Sequence, residues 1–329
     1  MDPLIISYLS ELKLGELQIF RNMAVAPLFT SLNDGPDYGL LREAIDAKQL
    51  AITELDQSGS VPELKVVNAS PRHILLLDGE ELVGAKQNRV LNTSILLKAN
   101  SKTVIPVSCT EQGRWRYTST NFADSDVIMS HGSRATKTLT VTGSLRAGRG
   151  YSSDQMRVWA DINTLHGEAG TTSRTLAMRD VYTAKTEELE PYLHAFECIS
   201  RQRGILVLIN GQPAGFDVLS REQAYQALHH KLVNSYAIDA LLQRKNGSDA
   251  PSLDTAQAFV GEARNCQESR FPSAGQGYDY RFEGARMVGS ALVVQKRIIH
   301  LAFFRVVGSE RGDTMSSYHQ RRAFRPGKE

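Results

Sequence analysis

Apolar and polar positions along the chain change their period as the sequence advances. Between Leu50 and Cys109 short apolar runs follow one another: LAITEL, ELKVV, HILLLD, ELVGA, RVLNTSILL and TVIPVSC. Turn text such as DGE and KANSK separates them, and no stretch between them can hold a crossover helix. Runs of this kind predict strands, and strands joined without crossovers pair antiparallel, as in a sandwich or barrel. Ahead of them, Leu40, Leu41, Ile45 and Leu50 recur at helical spacing and predict a helix over Tyr38–Leu50.

Beyond Asp124 the period lengthens. Ser152 and Gln155 have the spacing of a capping box ahead of Met156, Val158, Trp159 and Ile162, and Asp180–Ser200 reads as a second amphipathic helix that Asp180 could cap. GILVLIN (204–210) reads as a buried strand, Asn210-Gly211 as a tight turn and Gly215–Leu219 as the returning strand. Ser220 and Gln223 then have capping-box spacing before a helix on which Tyr225, Leu228 and Leu232 share a face. Residues 203–242 thus spell a ββα unit.

The fold class expected is α+β: an antiparallel β-rich N-terminal half, sandwich or barrel-like, packed with a helix-rich C-terminal half that contains the ββα unit. KNGSDAPS (245–252) reads as a linker. The expected division is a β-rich part over 1–122, an α+β part over 123–244, and a C-terminal extension over 253–329. That extension holds one helix, strands at Tyr278–Phe282, Met287–Val294 and Ile298–Val307, and a loose basic tail.

Composition narrows the function classes. The 329 residues carry 38 basic and 36 acidic side chains for a net charge of +2, so nothing pulls the chain toward nucleic acid or a membrane surface. No apolar run is long enough to span a bilayer, and the N-terminal text MDPLIISYLSELKLGEL has no basic stretch ahead of its apolar one, unlike a signal peptide. Cys109, Cys198 and Cys266 are widely and irregularly spaced, which predicts free thiols in a reducing cytoplasm. Neither cysteines nor histidines fall at zinc-ligand spacing, and no serine-nucleophile elbow or dinucleotide-binding glycine fingerprint occurs, so no metal is expected and the cofactor stays unspecified.

Two segments concentrate chemistry. DGEELVGAKQNRVLN (78–92) carries Glu80, Glu81, Lys86, Gln87, Asn88 and Arg89. Strand alternation points Lys86 and Asn88 one way, Gln87 and Arg89 the other; a solvated hairpin with weak ion pairs is the plain reading, a polar pocket the sharper one. SCTEQGRWRY (108–117) places Cys109 and Glu111 at a strand end, followed by Arg114, Trp115 and Tyr117. Arg114 offers a planar fork for phosphate or carboxylate, Trp115 a stacking face, and Glu111 a general base if burial raises its pKa. Cys109 reads better as a small buried thiol than as a nucleophile. Between Asp126 and Asp154 only basic charges occur, Arg134, Lys137, Arg146 and Arg149. GSLRAGRG (143–150) in that stretch lacks the Lys and Ser/Thr of a phosphate-binding loop and predicts a solvated basic loop.

The words LLLDGEELVGAKQNRVLNTSILL, IPVSCTEQGRWRY and SDQMRVWADI resemble a domain family named for its association with ADP-ribosylglycohydrolases and rhodanese-type phosphatases. SRTLAMRDVY (173–182), INGQPAGFD (209–217) and NSYAIDALL (234–242) look like its later motifs, so the resemblance runs from about residue 10 to 245. HGSRATK (131–137) departs from the expected text, which puts any role of Arg134 and Lys137 in doubt. The resemblance implies a neighbourhood of NAD-derived or ADP-ribose-containing compounds. It draws Gln87, Asn88, Arg89, Glu111 and Arg114 into one expected pocket. The reading carried forward has Glu81 and Glu111 as catalytic acid and base, with Gln87, Asn88, Arg89, Arg114 and Trp115 binding a phosphorylated substrate of a hydrolase or transferase. Its alternatives are a nucleotide-ligand sensor without turnover and a homo-oligomeric scaffold using the same polar words.

Overall fold

The computed structural model describes residues 1–32, 35–56, 62–244 and 249–306. Its largest sheet has nine strands, in the order Lys13–Leu14, Met23–Phe29, Gly204–Ile209, Gln212–Leu219, Arg297–Arg305, Met287–Val294, Tyr278–Glu283 and Gln267–Pro272, with Gln18–Phe20 also paired to Met23–Phe29. Every neighbouring pair in it is antiparallel. A six-stranded antiparallel sheet runs Phe122–Ile128, Glu80–Gly84, Arg89–Leu91, Ser101–Cys109, Glu63–Asn68 and Leu50–Glu54. A third sheet of three strands joins Ile95–Leu97, His73–Leu76 and Tyr38–Leu40, the last two running parallel. The chain is thus a mixed α and β molecule with antiparallel sheets. The order of β-rich half followed by helix-rich half holds only roughly, because the nine-stranded sheet is sewn from residues 13–29 and 204–305.

Strand text that is apolar at every position has a simple cause here. In Gly204–Ile209, Ile205 and Val207 face a core shared with Leu228, Leu232 and Tyr236, while Leu206 and Leu208 face another shared with Ile5, Leu9, Phe259 and Val260. Helices cover both faces of this sheet, so both faces are dry. A third core, built on Leu64, Leu76, Leu82, Leu91 and Ile105, fills the space between the smaller sheets. The turn Asn210-Gly211 has φ of 51° and 75°, the left-handed pair that a two-residue antiparallel hairpin requires.

Several local expectations give way to tertiary partners. Tyr38–Leu50 is a strand, the short helix Leu41–Asp46 and the start of another strand, since Leu40 pairs in register with Leu75. Helix Gln155–Ala169 is capped by Asp154, which accepts from Met156 N at 3.1 Å and Arg157 N at 3.2 Å, so Ser152 and Gln155 do not form the cap. Residues 180–200 divide into Met178–Ala184 and Thr186–Ala195. Asp180 takes the Ser173 hydroxyl at 2.6 Å and caps nothing; Ser220 likewise bonds Tyr38 across the fold instead of capping Glu222–Leu242. GSLRAGRG divides: residues 143–146 finish the helix His131–Arg146, and 147–150 form the exposed basic turn expected of the whole segment. Residues 245–248 of the expected linker, the last position of the strand expected to end at Val307, and the whole basic tail YHQRRAFRPGKE (318–329) lie outside the described residues.

Candidate functional site

The hairpin Glu80–Gly84/Arg89–Leu91 turns through Ala85–Asn88, and the neighbouring strand ends at Cys109. Leu82, Arg89 and Cys109 stand side by side in register on one face; Glu81, Val90 and Ser108 stand side by side on the other. At Cys109 the sheet runs out of partner strand, and a helix side chain takes its place. Gln155 accepts from Cys109 N at 2.8 Å and donates to Cys109 O at 2.9 Å, satisfying both backbone groups. This is the use of Gln155 that capping-box spacing conceals.

Beyond this point the chain loops back over the turn. Asn88 N donates to Glu111 Oε2 at 3.1 Å, and Gln87 Nε2 donates to Glu111 O at 2.9 Å. Arg114 grips the Glu111 carboxylate through Nε at 2.8 Å and Nη2 at 2.6 Å. Its remaining N–H groups reach Ala85 O at 2.7 Å, Arg116 O at 3.0 Å and Asn88 Oδ1 at 3.0 Å. Every nitrogen of Arg114 is therefore engaged within the chain, and both Glu111 oxygens are too. Burial would raise the Glu111 pKa, but the Arg114 and Asn88 hydrogen bonds bring it below the ordinary carboxylate value. Arg114 and Glu111 act here as a clasp, not as ligand holder and free base.

Arg89 is different. It is 0% exposed, and its Nη1 donates to Gln87 Oε1 at 3.1 Å and Asn88 O at 3.3 Å. Its Nε and Nη2 have no hydrogen-bond partner. These two nitrogens form the side-on edge with which a guanidinium takes a phosphate or carboxylate bidentately. Burial lowers the Arg89 pKa from its ordinary value, with Glu54 and Cys109 among the groups opposing. The nearest carboxylate, Glu54, keeps its Oε1 3.8 Å from Nη2. Trp115, half exposed, lies 5.9 Å from the guanidinium carbon. The Lys86 ammonium sits 5.1 Å from the Trp115 ring and 5.2 Å from that of Tyr117. Cys109 donates its thiol to Gln87 Oε1 at 3.3 Å and is pushed up in pKa by burial, which suits a packed thiol.

Glu81 faces away from this group. It is fully buried, takes the Thr110 hydroxyl on Oε1 at 2.6 Å, and its Oε2 meets no donor at hydrogen-bond geometry. Burial raises its pKa to about 7, partly offset by the Thr110 and Ser125 hydroxyls and the Arg179 charge, while the Glu111 charge adds to the rise. Glu81 and Glu111 thus influence each other electrostatically, but the register sends the Glu81 side chain to the face away from Arg89. Glu80 belongs to a separate group, with Lys231 Nζ at 2.9 Å and Leu77 N at 2.8 Å on its carboxylate.

A second buried polar cluster escaped the sequence reading. Arg134 donates to Asp217 at 2.6 and 3.1 Å and approaches Asp78 at 3.4 Å. Lys137 bonds Asp78 and Leu91 O; Tyr236 and His300 bond Asp217 at 2.8 and 3.2 Å. No spacing links residues 78, 134, 217 and 300, so only the fold brings them together. Arg134 and Lys137, which the departing HGSRATK text put in doubt, are core members of this network. Among the described residues no group of three or more His, Cys, Asp or Glu could hold a metal ion, and no helix is long and apolar enough to cross a membrane.

A model of the ARG and Rhodanese-Phosphatase-superfamily-associated Protein domain matches residues 11–304, continuing past residue 245 through the terminal strands. No curated protein and no solved structure matches the chain.

Proposed function

The chain belongs to the ARG and Rhodanese-Phosphatase-superfamily-associated family, and from that membership and the Arg89 edge we propose that it binds a phosphorylated, nucleotide-like small molecule of the ADP-ribose class in a reducing cytoplasm. The observation that carries this reading is the pair of unpartnered donors, Nε and Nη2, on a fully buried guanidinium. Burying donors without acceptors is costly, and an anionic ligand would offset that cost with two charge-assisted hydrogen bonds. Trp115 supplies an aromatic face for a base, and Lys86 a second positive charge beside it. Trp115 lies on the exposed stretch 115–121, with its ring 5.9 Å from the Arg89 guanidinium carbon.

Binding is the reading the geometry favours, because the register puts the Glu81 side chain on the face of the sheet away from Arg89. The Glu81 carboxyl, its pKa raised to about 7 by burial, is therefore not positioned to give or take a proton at a phosphate on Arg89. Glu111, held by Arg114, is not free for that role.

A thermal-shift screen with inorganic phosphate, ADP-ribose and NAD tests the binding. A ligand that binds only the folded chain raises Tm by mass action. Arg89→Met, with an unchanged circular dichroism spectrum, should lose the rise. A flat response to every compound in wild type would remove the proposal. Product formation from ADP-ribose that vanishes in Arg89→Met would establish an enzyme; saturable binding without product would leave a sensor.

A further inference from the structure

Glu54 belongs to no motif of the sequence, yet its side chain turns inward from the edge strand Leu50–Glu54 and is 3% exposed. Its Oε1 accepts from Lys86 N at 3.4 Å and stands 3.8 Å from Arg89 Nη2. That separation attracts but does not make a hydrogen bond. Its Oε2 has no donor. Beside the two unclaimed donors of Arg89 there is therefore an unclaimed acceptor, and both groups are buried. A bare anion would satisfy only the donors, and would set a second negative charge next to Glu54. A ligand that offers anionic oxygens together with a hydroxyl would satisfy all three atoms.

We infer that Glu54 accepts a hydrogen bond from a ligand hydroxyl adjoining the phosphate on Arg89, so that the site selects a sugar phosphate over a phosphate ester without hydroxyls. The inference rests on the Arg89 reading above and deepens it. Two effects act in the same direction. The carboxylate rewards the hydroxyl with a charge-assisted bond, as carboxylates do for ribose hydroxyls elsewhere, and it repels an anion that arrives without one.

Isothermal titration of the full chain with inorganic phosphate, ethyl phosphate and ribose 5-phosphate tests it. Wild type should bind ribose 5-phosphate at least ~10-fold tighter than ethyl phosphate, the worth of a hydrogen bond to a charged group. In Glu54→Gln that preference should shrink to within ~3-fold, with ethyl phosphate bound no more weakly than by wild type. Equal binding of the two esters by wild type would overturn the role of Glu54 while leaving Arg89 as the anion holder. A preference undiminished in folded Glu54→Gln would overturn it as well. Failure of all three compounds to bind would overturn the Arg89 reading and this inference together. If Glu54→Gln does not fold, the wild-type ratio decides alone.

Discussion

Arg89 and Arg134 are both fully buried, and their surroundings are opposite. Arg134 lies between two carboxylates, Asp217 and Asp78; burial alone would lower its pKa, but those charges raise it above the ordinary value. Arg89 has a carboxylate only at 3.8 Å, keeps two nitrogens without partners, and has its pKa lowered by burial. A buried charge held by matched partners is a structural element whose removal strands those partners. A buried charge left partly unmatched marks a place where something else can complete it. The difference separates architecture from candidate site within one molecule.

The sharpest test of the comparison is on the structural side. Asp217→Ala removes a carboxylate that accepts from Arg134, Tyr236 and His300 and leaves all three buried without it. Urea unfolding should register a loss of about 3–5 kcal/mol. Because burial is outweighed by Arg134 and His300, Asp217 stays ionised far below the usual carboxylate range. Its contribution is therefore complete above the unfolded-state pKa and declines only as pH falls through the depressed folded value, so the network should survive mild acid.

Glu81 behaves in the opposite sense. Between its ordinary value of 4.5 and about 7 the folded chain retains a proton that the unfolded chain has lost, so stability falls as pH rises through that window. Glu81→Gln should therefore stabilise the protein at pH 8 by roughly 3 kcal/mol, with the gain disappearing below pH ~4.5. Equal stability of wild type and variant across the range would contradict a proton held at Glu81.

Smaller again is the expected effect of Arg89→Met, no more than about 1.5 kcal/mol, because the side chain leaves few satisfied bonds behind. If it costs as much as Arg134→Met, Arg89 is structural and the comparison fails. Trp115→Ala, at a half-exposed position, should change stability by less than about 0.5 kcal/mol while weakening nucleotide binding by ~10-fold or more. Fluorescence can follow this because the chain has only two tryptophans, Trp115 and Trp159.

Much of the site was visible as words. Gln87, Asn88, Glu111 and Arg114 lie in two short motifs, and the structure knits those motifs together through the Glu111 carboxylate and the Gln87 amide. Their division of labour was not visible. Arg89 and Arg114 are chemically identical, and only the acceptors around each decide that one is saturated and the other is not. Glu54 was missed because a single acidic residue ending LAITE is indistinguishable from an edge-strand surface charge until its side chain is seen to point inward. The capping boxes at Ser152 and Ser220 misled for a related reason. The Gln155 amide makes two bonds at an open strand end, and the Ser220 hydroxyl meets Tyr38, partners that local spacing cannot announce.

The sequence by itself determined the elements: antiparallel strands from short runs between turns, the hairpin at Asn210-Gly211, and the helix that follows it. These depend on periodicity and on backbone conformations that neighbouring residues set. Tertiary structure alone decided that residues 13–29 complete a sheet with strands nearly two hundred positions later, and that Asp78, Arg134 and Asp217 neutralise one another. Hydrogen-bond and charge satisfaction is a property of places in space, and residues far apart along the chain occupy one place only after the chain has folded.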